Sequence, residues 1–153
     1  MNGPVVSDSS PIIALERIGH LDLLYRLFED IAVPPAVARE VYPDGPPPAW
    51  IHVRTPVTSA DPALATTLGP GERESILLAV ELRARVVVLD DLPARRVAAA
   101  RGLTVVGTAG IALAAKTAGV IEAVGPLLDQ LAKAGFHLSQ RVRSAVLRAG
   151  NEG

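Results

Sequence analysis

The side chains equipped for chemistry in this chain are carboxylates, and their placement is the first clue. Asp8 ends the apolar run Val5-Val6-Ser7, and Asp90-Asp91 end the run Val86-Val87-Val88-Leu89. Short apolar runs without alternation read as strands buried on both faces of a parallel sheet. In such sheets ligands lie beyond the carboxyl ends of the strands. Two strand-end aspartates more than half the chain apart therefore point to one shared acidic site.

Further acids compete for a place in it. Glu40 sits late in a helical stretch beside Arg39 and, taken singly, reads as a solvated residue. Glu72 and Glu74 lie in a first helical turn, where acids are favoured on dipole grounds. On a helical wheel Glu72 falls with Ile76 and Ala79, whereas Glu74 shares an edge with Glu81, so Glu72 is expected to point inward and to need a partner. Blander roles exist for the aspartates as well. Asp8 could simply answer the dipole of the next helix, and Asp91 could cap a helix beginning at Pro93. One cap needs one carboxylate, however, and adjacent like charges repel unless a cation or a proton intervenes. Several carboxylates without histidine or thiol are a ligand set for Mg²⁺ or Mn²⁺. Such ions activate a water and stabilise the oxyanions of a phosphodiester displacement. The residues by themselves reach an acidic metal site, with Glu72 against Glu74 and Asp90 against Asp91 left open.

Composition narrows the class. At 153 residues the chain is most simply one domain, residues 1–150, with C-terminal helices from about 121. Hydrophobic residues make up 49% and aromatics only 3%, so the core must be aliphatic. A net charge of −1 advertises no general affinity for nucleic acid, which leaves only a local basic patch. There are no cysteines, which excludes thiolate metal sites, and with 3 scattered histidines a His-rich zinc site is not expected. Neither a signal segment nor an apolar run near 18 residues is present, and a soluble, cytoplasmic protein without membrane contact is expected.

The elements that must position the acids follow in order. Val5–Ser7 predicts a strand, and Ser9-Ser10-Pro11 a helix start with a serine N-cap and proline at the first helical position. Gly19 ends that helix, and Leu21–Phe28 forms another. Ile31–Val33 reads as a strand, Ala36–Val41 as the helix carrying Glu40, Tyr42–Pro48 as a loop, and Trp50–Arg54 as an edge strand. Thr55–Gly69 is weakly patterned connection with room for one helical turn. Gly69-Pro70-Gly71 reads as a break, followed by a helix Glu72–Leu82 that is apolar almost all round and so expected to be buried between layers. After the strand before Asp90, Pro93–Arg101 is a helix closed by Gly102, and Leu103–Val106 a strand. Thr108 is the expected N-cap of a helix to Ala118; Ile121–Ala134 and Ser139–Ala149 complete the chain as amphipathic helices. The alternation predicts an α/β fold: a three-layer α/β/α sandwich on a mainly parallel sheet.

At this point a likeness is visible. Val5-Val6-Ser7-Asp8-Ser9-Ser10-Pro11, Ala38-Arg39-Glu40-Val41, Gly71-Glu72-Arg73-Glu74-Ser75-Ile76-Leu77-Leu78-Ala79, Val88-Leu89-Asp90-Asp91 and Val106-Gly107-Thr108 together resemble a PIN domain. More narrowly they resemble the prokaryotic subgroup related to VapC-type toxins of toxin–antitoxin pairs. The resemblance spans about Val5 to Ala118 and implies a Rossmann-like fold with a divalent-metal-dependent ribonuclease site. It implies Asp8, Glu40, Glu72 and Asp90 as catalytic and metal-holding acids, with Asp91 able to share the last role. Ser10 and Thr108 would border the site. Mg²⁺ or Mn²⁺ would be the cofactor, RNA the substrate, and an antitoxin and a second copy the partners. Two departures stand out: the third acid is Glu where the family usually has Asp, and Val88-Leu89 stand where a hydroxyl residue often precedes the fourth acid. The first of these, with the near-neutral charge, supports a second expectation, a PIN-like module that binds RNA or protein without cutting. Arg95, Arg96 and Arg101 follow the acids on one helix and are candidates for RNA phosphates, although a solvated basic face is the simpler reading. A phosphotransfer receiver fits poorly, because no lysine follows the late strands.

A mean hydropathy of +0.32 and apolar terminal helices predict surface needing cover, by a second copy or an antitoxin helix.

Overall fold

A computed structural model describes residues 3–58, 64 and 68–153. Five strands, β1 (Val5–Ser7), β2 (Ile31–Val33), β3 (Ile51–Val53), β4 (Val86–Val88) and β5 (Val105–Val106), form one sheet in the order β3-β2-β1-β4-β5. Every pairing is parallel, with Val6 opposite Ala32 and Ser7 opposite Val88. The helices are α1 (Ser9–Arg17), α2 (Asp22–Phe28), α3 (Pro35–Val41), α4 (Pro70–Leu82), α5 (Leu92–Ala100), α6 (Thr108–Thr117), α7 (Gly125–Lys133) and α8 (Gln140–Ala149).

The pleat sorts the strand residues onto two cores. Val5, Ile31, Val33, Ile51 and Val88 pack with α1, α2, α6 and α7 on one face. Val6, Ala32, Val87 and Leu89 pack with α4 and α5 on the other. Both faces are covered, which is why these strands need no polar alternation. The architecture is the three-layer α/β/α sandwich expected from the alternation of strands and helices, with an all-parallel sheet.

Chain direction across the sheet reverses between β1 and β4. From β1 the chain moves outward through β2 to β3, then returns to β4 and continues outward to β5. The crevice beyond the carboxyl ends at such a reversal is where open α/β sheets bind ligands. Asp8 follows β1 and Asp90 follows β4, so both stand at this point.

Several boundaries differ from the sequence reading. Helix α1 begins at Ser9 with Asp8 as its N-cap residue, so neither Ser9 nor Ser10 is the cap and Pro11 is the third helical residue. Pro70 and Gly71 are not a break but the first turn of α4, since Gly69 is the N-cap and proline suits the first helical position. Helix α4 is not enclosed all round: Ser75 to Ala79 are buried, whereas Val80 is 41% exposed and Glu81 is exposed. Thr108 is not an N-cap; Gly107 holds that position and Thr108 is the first residue of α6. Residues 121–124 precede α7 rather than belonging to it. Ser139 does cap α8, its Oγ accepting from the Val142 amide. The helical turn expected within Thr55–Gly69 falls mainly on residues outside those described.

Candidate acidic site at the sheet reversal

Asp8 is the one buried acid among the described residues. Its amide donates to the Val88 carbonyl at 3.0 Å, which extends the β1–β4 ladder one step and fixes where the side chain starts. The carboxylate is 2% exposed, makes no cap bond to α1, and its Oδ1 has no hydrogen-bond partner among the described residues. The neighbouring Ser9 Oγ is likewise buried without a partner. Burial pushes the Asp8 carboxyl up to about 7, partly offset by the Ser9 amide; Glu72, Glu40 and Asp90 raise it further, in that order. Every charged group raising it is another acid. The fold thus brings Glu40, Glu72 and Asp90, from three separate elements, into electrostatic reach of Asp8.

Gly71 makes room for this carboxylate. A Cβ there would come 3.1 Å from Asp8 Oδ1, so any larger residue on the first turn of α4 would press on it. Glycine within a helix lowers stability by about 0.5–1 kcal/mol relative to alanine, and close approach is the usual reason to retain it.

The remaining acids fall into two groups. Glu72 is half-buried, and its Oε1 accepts from the Gly69 amide at 2.9 Å, so the partner an inward Glu72 requires is supplied by its own helix start. Asp90 is exposed and takes both Thr108 donors, the amide at 2.8 Å on Oδ1 and the hydroxyl at 2.5 Å on Oδ2. Glu40 is exposed near the end of α3. Outside this set, Glu74 accepts from the Ala36 amide at 3.0 Å and ties α4 to the start of α3. Asp91 caps α5 through Oδ2, which accepts from Ala94 N at 3.0 Å. The capping role that competed with metal binding for Asp91 is thus realised. Among the described residues, no group of three or more acidic or histidine side chains is arranged to hold an ion as it stands. Glu72 and Asp90 are each turned to a donor of the protein itself.

Arg95 donates to the Leu89 carbonyl at 2.8 Å. A Cβ on Gly107 would meet its guanidinium at 2.8 Å and Asp90 Oδ1 at 2.9 Å, so one cation stands immediately beside the acids. Arg96 is exposed on the same helix. Ser10 is exposed and lines a cavity of about 190 Å³ together with Asp90, Thr108, Phe136, His137 and Leu138. Spacing did not single out Phe136, His137 and Leu138 beside the site. Gly135, with φ of 96°, turns the chain after α7 and delivers them there. Their only trace in the sequence is an aperiodic Phe-His-Leu between Gly135 and Ser139. Gly71 left a clearer one, a glycine just inside a helix.

No helix among the described residues is long and apolar enough to cross a membrane. Comparison with curated proteins and with solved structures returns no match. A protein-family model described as a PIN domain matches residues 4–152. PIN domains are generally nucleases, hydrolases of phosphodiester bonds, and typically depend on a divalent metal. With the all-parallel sheet, the strand-end acids and this match over nearly its whole length, the chain belongs to the PIN-domain family.

Proposed function

We propose that the chain is a divalent-metal-dependent endoribonuclease related to the VapC toxins, the toxin half of a toxin–antitoxin pair. The observation that carries this reading is the buried Asp8 carboxylate, with an unpartnered Oδ1 and only acids as its charged neighbours. An ionised carboxylate in that position is unfavourable unless a cation answers it. The donor set is all oxygen and all acidic, which suits Mg²⁺ or Mn²⁺. Asp8, Glu40, Glu72 and Asp90 would hold the ion, with Glu72 and Asp90 giving up their present hydrogen bonds to do so. When bound, it would acidify a water and stabilise the oxyanions of the displaced phosphodiester.

The chain's own residues set the stage. Asp8 is a rigid anchor, held by the ladder bond to Val88. Thr108 aims Asp90, and Arg95, fixed by Leu89, offers a cation to a substrate phosphate beside it. A second copy or an antitoxin helix would cover exposed apolar side chains such as Tyr25 and Val53, 48% and 44% exposed. Size-exclusion chromatography with light scattering tests the dimer, which a clean monomer at high micromolar concentration contradicts.

Purified protein mixed with structured and single-stranded RNAs, with Mn²⁺, Mg²⁺ or EDTA, tests the activity. Cleavage is expected only with metal, and its persistence in Asp8→Asn and Asp90→Asn would refute the site. A second reading, a PIN-like module that binds RNA or protein without cutting, draws on the hydrogen bonds that occupy Glu72 and Asp90. It predicts RNA binding in that assay with no cleavage in any metal.

A further inference from the structure

The space beside Asp90 is divided in two by the segment between α7 and α8. On one side is the 190 Å³ cavity, with Leu131, Phe136 and Leu138 as its apolar wall and Ser10 and His137 as polar groups. On the other is a longer groove of about 640 Å³ running between α5 and α8, past Arg95, Ser139 and Val142. Asp90, His137 and Leu138 line both. The partition is built to last: Leu131 is 1% exposed, and the Arg17 guanidinium lies 5.6 Å from the Phe136 ring centroid.

The two compartments differ in chemistry. The smaller sets Leu131, Phe136 and Leu138 against Ser10, Asp90, Thr108 and His137, and a cavity of roughly 150 Å³ is large enough for a benzene-sized ring. The larger is mostly apolar, with Arg95 its one cation and Asp90 its one acid, and runs between two helices that carry arginines. Helix α5 carries Arg95 and Arg96, α8 carries Arg141, Arg143 and Arg148, and neither has an acid, in a chain whose net charge is −1. Arginines on the helices flanking one path and a ring-sized pocket holding Phe136 and His137 at its end fit a single strand whose bases are splayed out, since sequence-selective RNA contacts target unstacked bases. A duplex would keep its bases out of the small cavity.

Resting on the ribonuclease reading of the adjoining acids, we propose that the cavity walled by Ser10, Leu131, Phe136, His137 and Leu138 is a base subsite. It takes one unstacked base of a single-stranded RNA, and the groove between α5 and α8 takes the adjoining backbone. His137, exposed at the partition, reads the edge of that base, and Phe136 and Leu131 give it an apolar seat.

The test is fluorescence-anisotropy titration of short labelled oligo(A), oligo(C), oligo(G) and oligo(U) onto the full chain in EDTA. The parent is compared with Ser10→Phe, which fills the cavity from an exposed helical position, and with His137→Ala, which removes an exposed ring; circular dichroism confirms that both fold. The parent should prefer one base. Ser10→Phe should weaken that oligomer about tenfold, the scale of one lost base-stacking contact, and His137→Ala should level the four affinities. Parent affinities retained by both variants would overturn the subsite, even if metal-dependent cleavage is found. Absence of any oligoribonucleotide binding by the parent at high micromolar concentration would also overturn it. Base-selective binding lost in the variants would sustain it, even if the parent cleaves nothing.

Discussion

Thr108 holds the Asp90 carboxylate at both ends, its amide on Oδ1 at 2.8 Å and its hydroxyl on Oδ2 at 2.5 Å. The first residue of α6 thereby sets the direction of the acid that follows β4, and the gap from β5 to α6 becomes part of the site. Thr108→Val keeps the amide bond and deletes the hydroxyl. It should lower stability by about 1 kcal/mol, or roughly 2–4 °C in melting temperature for a chain of this size. Thr108→Ser should restore most of it. Thermal unfolding followed by circular dichroism checks both.

Glu72 and Glu74 differ by two positions and should separate cleanly. Glu74→Ala orphans the Ala36 amide and should cost about 1 kcal/mol while leaving Mn²⁺ affinity unchanged. Glu72→Gln retains an oxygen for the Gly69 amide and should leave stability nearly unchanged, but weaken Mn²⁺ binding. Denaturant melts and calorimetric titration of the same samples read the two effects. The opposite pattern would exchange the two roles.

Asp8 predicts an unusual pH profile for the metal-free chain. Its carboxyl is raised from the ordinary 3.8 to about 7, mainly by burial. The native state then holds the proton longer than the unfolded state, so this contribution is complete below the ordinary value and disappears as pH climbs to about 7. The loss is on the order of 4 kcal/mol. In EDTA, stability should fall between about pH 4 and 7, and Asp8→Asn should flatten that fall. Mn²⁺ at pH 8 should raise the melting temperature of the parent by mass action and leave Asp8→Asn nearly unmoved.

Glu152 predicts the reverse slope at lower pH. Lys116, with the Val124 and Gly125 amides, holds its carboxyl down to about 2. Lys116 Nζ lies 2.8 Å from Oε2, and the two amides donate at 2.7 and 2.9 Å. A lowered carboxylate pKa contributes stability above its ordinary 4.5 and loses it as pH falls toward 2. Glu152→Gln should therefore melt below the parent at pH 7 and converge with it near pH 2, with RNA cleavage at pH 7 unaltered.

The sheet was legible because its strands are short, apolar and bounded by acids or turn residues; Ile31–Val33 is read to the residue. Helix starts were less legible, since the rule that a hydroxyl or a proline marks the first turn misplaced α1 and α6. At α1 the chain uses Asp8 in extended conformation as the N-cap residue without its side chain. At α6 the Thr108 hydroxyl is turned to Asp90 instead of the helix backbone. Helical-wheel reasoning separated Glu72 from Glu74 by direction, but could not see that the Gly69 amide would satisfy the first and the Ala36 amide the second. Those bonds depend on where loops end in space, which periodicity does not encode. That Asp91 caps α5 could be proposed from its place before Pro93, but the Ala94 amide that it accepts from appears only in the fold.

Isothermal titration of Mn²⁺ into the full chain and into Asp8→Asn tests the central claim most directly, because it asks whether the buried, unpartnered carboxylate answers to a cation. Saturable binding at or below millimolar concentration in the parent, weakened at least tenfold in a folded Asp8→Asn, is the predicted result. A parent that takes up no Mn²⁺ at millimolar concentration, or an Asp8→Asn that binds as the parent does, would contradict it.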